Sequence, residues 1–80
     1  MSISAVEVQP LAVDVACTSD MLQVVLADGR EISVPLEWFP RLMEATPKDR
    51  NSWQLLGGGL GIHWEELDQD VSVESLLRLR

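Results

Sequence analysis

Positive charge is scarce in this sequence. Lys48 is the single lysine, and six basic residues stand against thirteen acidic ones, for a formal net charge of −7. Proteins that bind DNA or RNA usually neutralise phosphates with a surface rich in lysine and arginine. The composition therefore disfavours nucleic-acid binding and attachment to an anionic membrane surface. It favours a partner of the opposite charge.

Cysteines and long apolar runs are scarce as well. Cys17 is the single cysteine, so the chain cannot form an internal disulfide, and a reducing cytoplasm is the predicted location. No apolar run approaches the ~20 residues that a membrane helix needs. The first residues lack the basic start and apolar block of a signal peptide. The 80 residues, 46% of them hydrophobic, predict one domain spanning 1–80 with one core and one binding surface.

The first part of the chain shows the period-two alternation of β-strands. Val13, Val15 and Cys17 alternate with polar or small residues, which predicts a strand over 11–17 with these three side chains on its buried face. Residues 1–9 precede it and could add a short edge strand or fray.

Residues 21–35 predict a hairpin around Asp28-Gly29. A two-residue turn there would mix polar and apolar side chains on both faces. A three-residue loop over 27–29 places Leu22 opposite Val34 and leaves one face apolar throughout. Because strand register follows the buried face, we predict the three-residue loop, with Gly29 in the left-handed region.

A helical period replaces the alternation after this hairpin. Since proline is tolerated only in the first turn of a helix, the helix should begin at 36–38 or restart at Pro40. Thr46 is then the predicted N-cap of a short helix over 47–52, with Pro47 as its first residue and Asp49 in its first turn.

Consecutive glycines predict a second hairpin. A two-residue loop at Gly58-Gly59 would pair Trp53 with Trp64 on the core-facing side and leave His63 on the solvent-facing side. Such a face would be a tryptophan-rich wall of the core.

The remaining residues complete the predicted architecture. Residues 65–70 are acidic and predict a loop, after which Ser72 caps a last helix over 73–79. The predicted order is β-β-β-α-β-β-α. This is an α+β fold, a small antiparallel sheet of hairpin-linked strands with helices covering one face.

Two short patterns resemble ligand loops but are incomplete. The glycine-rich stretch 57–61 lacks the lysine and the following helix of a phosphate-binding loop. The spacing Asp68-x-Asp70-x-Ser72 begins like a calcium loop, yet Val73 and Leu79 occupy the positions that require glycine and glutamate. The sequence therefore predicts no metal site and no cofactor.

His63 leaves an alternative open. Together with Asp68 or Asp70 it could serve a small ligand- or metal-binding protein, or a minor hydrolase. Acid–base chemistry would require these side chains to converge in one pocket. An exposed histidine on a sheet is the simpler interpretation, and we assign no catalytic residue.

Aromatic and charged residues near the acidic stretch are the candidate contacts for a protein partner. Tryptophan and arginine are enriched at the energetic centres of interfaces. Arg41 could pair with Asp68 or Asp70 and so orient the acidic stretch. The predicted partner-binding residues are Trp38, Arg41, His63, Trp64, Asp68 and Asp70.

Three blocks of sequence carry a family resemblance. They are Asp28-Gly29-Arg30 with Val34-Pro35-Leu36 and Trp38-Phe39-Pro40-Arg41-Leu42; Trp53, the glycine turn and Gly61-Ile62-His63-Trp64; and Leu67-Asp68-x-Asp70-x-Ser72-Val73-Glu74-x-Leu76-Leu77. In combination they resemble the bacterial domain of unknown function 2442 family.

The resemblance implies a small α+β fold and supplies no enzymatic activity. Some family members are joined to a helix-turn-helix domain, which the present sequence does not show, so we expect no nucleic-acid binding by the chain itself. Genes of the family often neighbour those of another small protein, as in a toxin–antitoxin pair. The leading hypothesis is a non-enzymatic, cytoplasmic interaction module, the acidic partner of a basic small protein. A homo-oligomer through a free edge strand stays open.

Overall fold

The structure is a computed structural model that describes residues 10–78. The predictions for residues 1–9 and for the helix end at 79–80 lie outside this range. The elements in chain order are β1 (Ala12–Cys17), β2 (Met21–Leu26), β3 (Glu31–Pro35), a first 3₁₀ turn (Leu36–Trp38), α1 (Pro40–Met43), α2 (Pro47–Arg50), β4 (Trp53–Leu56), β5 (Gly61–Trp64), a second 3₁₀ turn (Glu65–Leu67), β6 (Gln69–Ser72) and α3 (Val73–Arg78).

The strands form two antiparallel sheets of three strands each, in the orders β1-β2-β3 and β4-β5-β6. The α+β class is therefore confirmed. The predicted single sheet is wrong, and the predicted order lacks one strand, β6. Buried residues from both sheets and from the helices belong to one hydrophobic cluster. Among residues 10–78, no helix is long and apolar enough to cross a membrane.

The first hairpin has the predicted register. Leu22 lies opposite Val34, and Val24 lies opposite Ile32. Leu22 and Val24 are fully buried. Gly29 closes the three-residue loop with φ of 96°, a conformation that L side chains rarely adopt. Burial of one apolar face thus selected the loop length.

Strand β1 departs from the predicted alternation at one residue. Ala12 lies opposite Leu26 and Asp14 opposite Val25, so Val13 is the extra residue of a β-bulge. Its side chain is 52% exposed, whereas Ala12 is buried. The prediction that Val13 shares the buried face of Val15 is therefore wrong, because the bulge shifts the side-chain phase.

Both predicted helix starts occur in the segment between the sheets. The chain makes one 3₁₀ turn at Leu36–Trp38, and an α-helix then restarts at Pro40. Thr46 caps α2, since its hydroxyl oxygen accepts a hydrogen bond from the Asp49 amide at 3.2 Å.

The second hairpin has the predicted pairing but a different loop. Trp53 lies opposite Trp64 and Leu55 opposite Ile62. The ladder ends at the pair Leu56–Gly61, so residues 57–60 form the turn and the predicted two-residue loop is wrong. Three successive glycines with positive φ make this wider turn accessible.

One glycine of this turn joins the two sheets. The Gly59 carbonyl accepts a hydrogen bond from the Ala12 amide at 2.8 Å. A Cβ on Gly59 would lie 2.5 Å from the Ala12 carbonyl oxygen, closer than a side chain can approach. The absence of a side chain is therefore what lets β1 contact the turn.

Strand β6 occupies part of the segment predicted as an acidic loop, so that prediction is wrong for Gln69 and Asp70. Its four residues pair with β5, from Trp64–Gln69 to Gly61–Ser72, and only Val71 among them is buried. Backbone pairing at a sheet edge needs no apolar alternation. The Ser72 hydroxyl then accepts from the Ser75 amide at 3.1 Å, which confirms it as the cap of α3.

Candidate functional site: an acidic rim beside the second sheet

The acidic rim consists of Glu65, Glu66, Asp68 and Asp70, all of them exposed. Glu65 and Glu66 lie in the second 3₁₀ turn, and Asp68 ends that turn with φ of 51°. Aspartate is one of the few residues other than glycine that tolerate this left-handed conformation. Three of the four rim residues therefore lie in a tight turn between β5 and β6, and Asp70 follows within β6.

The side chain of Arg41 holds the rim by hydrogen bonds to the rim's backbone. Its Nη1 donates to the Asp68 carbonyl oxygen at 2.7 Å and to the Leu67 carbonyl oxygen at 3.3 Å. The predicted ion pair of Arg41 with a rim carboxylate is not formed, because the guanidinium instead bonds the carbonyls at the end of the 3₁₀ turn. These two hydrogen bonds nevertheless orient the rim.

His63 and Asp70 face each other across β5 and β6. The Nδ1 atom of His63 contacts Oδ1 of Asp70, with side-chain exposures of 25% and 70%. A histidine held at Nδ1 by a carboxylate has a fixed orientation. The structure describes no hydrogen bond or ion pair between His63 and Asp68 within residues 10–78. Of the two predicted carboxylate partners, only Asp70 meets the histidine.

The two tryptophans proposed as contacts differ in accessibility. Trp38 is 41% exposed and available to a partner. Trp64 is fully buried, and its Nε1 donates to the Arg50 carbonyl oxygen at 2.9 Å. Trp64 therefore belongs to the core and offers no surface in this fold, because its side of β5 faces the hydrophobic cluster.

Two shallow grooves adjoin the rim. The first groove has a volume of about 400 Å³ and is lined by Lys48, Asp49, Ser52, Trp53, Gln54, Glu65 and Glu66. The second groove, also about 400 Å³, is lined by Arg41, Glu44, Ala45, Thr46, Asp49, Glu66 and Leu67. Asp49 and Glu66 line both grooves, so the two adjoin one another.

Sequence reasoning missed Trp53 and the glutamates as groove residues. The sequence predicts a core position for Trp53, and its side chain does pack against the core cluster. It lies on β4, however, which is an edge strand of its sheet, so it is only partly buried. The hairpin register identified its face, and the place of β4 at the sheet edge is the reason why Trp53 is not fully buried.

Charge around the rim is unbalanced. Among residues 10–78, no ion pair involves Glu65, Glu66 or Asp68. In the same range, no group of three or more histidine, cysteine or acidic side chains is arranged to hold a metal ion. The arrangement presents unpaired carboxylates to solvent beside a partly exposed indole.

A two-sheet α+β domain with a backbone-anchored acidic turn is thus the class of protein that the fold defines. The chain belongs to the family described as protein of unknown function (DUF2442), whose model matches residues 12–80. The resemblance in the three sequence blocks is therefore confirmed.

Two solved structures share the fold. One is a protein of unknown function from Rhodospirillum rubrum, with 30% identity, a TM-score of 0.73 and coverage of 86% of each chain. The other is an uncharacterised protein from Chromobacterium violaceum, with 27% identity, a TM-score of 0.72 and coverage of 85% of this chain and 64% of that one. No curated protein matches the chain.

Proposed function

We propose that the protein is a non-enzymatic interaction module that binds a basic protein through its acidic rim. The observation that carries the proposal is the contact of Arg41 with the Leu67 and Asp68 carbonyls. Because the arginine bonds to the backbone, it holds the turn without neutralising the carboxylates by direct pairing. The rim is therefore ordered and still negatively charged.

Electrostatic considerations support a partner of positive charge. A net charge of −7 steers a basic protein toward the chain and disfavours nucleic acid and anionic lipid. An ordered binding surface loses less conformational entropy on association than a mobile loop does. Trp38 is exposed and His63 is partly exposed, so both offer further contact area to a partner.

More specifically, we propose that this chain is the acidic member of a toxin–antitoxin-like pair that acts in the cytoplasm. The support is the charge of the chain, together with the paired gene arrangement that the family resemblance implies. Such a partner would be small and basic. A homo-oligomer through a free sheet edge is compatible with this role, and sedimentation of the purified chain would measure it.

The test is capture from the native host followed by reconstitution. Wild-type protein and the triple variant Glu65→Gln, Glu66→Gln, Asp68→Asn serve as bait, and the captured protein is purified and titrated back. We expect one stoichiometric basic partner that binds the wild type, weakens with added salt and binds the variant at least tenfold more weakly. The absence of any stoichiometric partner, or equal binding by the variant, would contradict the proposal.

The contact between His63 and Asp70 favours a second candidate, a small ligand-binding protein or hydrolase. The carboxylate fixes the imidazole ring, which is one requirement of acid–base catalysis. Neither residue lines the two grooves beside the rim. A hydrolytic activity toward model esters that is lost in both His63→Gln and Asp70→Asn would support this candidate, and activity unchanged in both would exclude it.

A further inference from the structure

Trp53 and the two glutamates of the second 3₁₀ turn line the same groove, the first groove. The groove is lined by residues of α2, of β4 and of that turn. The indole of Trp53 also packs against the core cluster, so its position is fixed. An aromatic residue and three acidic residues therefore line one concave space of about 400 Å³.

The residues that line the first groove favour a cationic ligand over an anionic one. An ammonium or guanidinium group gains from the face of an indole and from nearby carboxylates, and guanidinium stacks on aromatic rings especially well. The first groove carries Asp49, Glu65 and Glu66 against Lys48 alone. An anion would meet three carboxylates there, which like-charge repulsion disfavours.

The second groove extends the same arrangement. It adds Glu44 to the shared residues Asp49 and Glu66. Its one positive side chain, Arg41, already donates to backbone carbonyls of the rim. Two adjoining acidic grooves fit a chain that presents successive basic side chains better than they fit a single small amine.

We propose that the two grooves are the docking site for an arginine-containing segment of the partner, with one arginine stacked on Trp53 between Glu65 and Glu66. The inference rests on the proposed function and places its binding site at the groove side of the rim. His63 and Asp70 line neither groove, so the arginine stacked on Trp53 is not expected to contact them.

The probe is an acetylated and amidated peptide of alternating arginine and glycine, titrated into ¹⁵N-labelled protein. We expect shifts of the Trp53 indole N–H and of backbone amides around Lys48 and Glu66. The double variant Glu65→Gln, Glu66→Gln should weaken binding about fivefold or more, in line with the loss of two close charges. A peptide of alternating glutamate and glycine should cause no such shifts.

Substitution of Lys48 should change the affinity for the peptide in the opposite direction. Its side chain is exposed and lines the first groove, while its backbone carbonyl accepts from Ser52 and is unaffected by substitution. Lys48→Gln removes a like charge, so we expect it to strengthen arginine-peptide binding by about twofold. Glu31→Gln is the control for the glutamate variants, because it removes one acidic charge at an exposed position of β3 outside both grooves, and it should leave binding unchanged.

Three outcomes would overturn the inference. If the peptide binds and only Asp68→Asn or Asp70→Asn weakens it, the grooves are not the site and the proposed function survives. If the peptide causes no shifts although the captured partner binds, the chosen chemistry is wrong and the proposed function again survives. If neither the peptide nor any basic partner binds, both proposals fail together.

Discussion

The indole nitrogen of Trp64 donates to the main-chain carbonyl of Arg50 at 2.9 Å, and this bond joins the second sheet to helix α2. The side chain of the same arginine donates to the carbonyls of Leu42 at 2.8 Å and Met43 at 2.7 Å, at the end of α1. The Cys17 thiol lies 3.8 Å from the Arg50 carbonyl oxygen. Arg50 thus connects both short helices to both sheets.

Removal of the Arg50 side chain should destabilise the fold. Arg50→Ala leaves two helix-end carbonyls without their charged donor, and such bonds contribute about 1.5–3 kcal/mol each when well buried. Because Arg50 is only partly buried, we expect a loss of about 2 kcal/mol in the free energy of unfolding, measured by urea denaturation. Arg78→Ala, which breaks an exposed pair with Glu74, should cost at most about 0.5 kcal/mol. Equal losses in the two variants would contradict this role.

The turn glycines are expected to differ sharply in their tolerance of alanine. Gly59→Ala places a methyl group 2.5 Å from the Ala12 carbonyl oxygen at φ of 116°, and should cost about 3 kcal/mol or more. Gly58→Ala has the same chemistry at φ of 71° with no atom within 4 Å, so only the left-handed penalty of about 1 kcal/mol applies. Thermal unfolding of both variants tests the difference, and similar midpoints would show that the contact with Ala12 is dispensable.

Much of this architecture followed from alternation and turn chemistry. Burial of one face specified the register of Leu22 with Val34, and the glycine run specified Trp53 opposite Trp64. A proline and a threonine with a following acidic residue marked the start of α2. These features are local, since each depends on side chains within a few residues of one another.

The features that the sequence did not reveal depend on contacts between distant segments. The bulge at Val13 accompanies the approach of Ala12 to Gly59, and β6 exists because β5 offers it a backbone partner. Likewise, Arg41 finds two carbonyls 26 and 27 residues away in the chain rather than a carboxylate. No periodicity within a segment encodes such partners, so the site is less predictable than the hairpins.

The rim should lose its order when Arg41 is shortened. In Arg41→Met the aliphatic packing is largely retained, but the carbonyls of Leu67 and Asp68 lose their donor. We expect faster amide hydrogen exchange over 65–70, with little change in the exchange of β2. A loss of about 1 kcal/mol in overall stability is expected. Unchanged exchange over 65–70 would show that the 3₁₀ turn stays ordered without the hydrogen bonds from Arg41.

Ionisation of the Cys17 thiol should lower the free energy of unfolding at alkaline pH. Burial raises the pKa of its thiol above the ordinary value of 9.0, with a smaller opposing effect from the Arg50 charge. Above that ordinary value the unfolded chain releases the thiol proton more readily than the folded chain does. The stability is therefore complete below about pH 9 and declines as the pH rises toward the folded pKa.

Urea midpoints between about pH 8 and about pH 10.5 measure this decline, and Cys17→Ser is the control because serine stays neutral there. The chain contains no tyrosine, so few other groups titrate in this range. The wild-type midpoint should fall more steeply than that of the variant, and alkylation by iodoacetamide should be slower in the folded protein than in urea. Parallel pH profiles for the two proteins would show that the thiol is ionised as easily in the fold as in the unfolded chain.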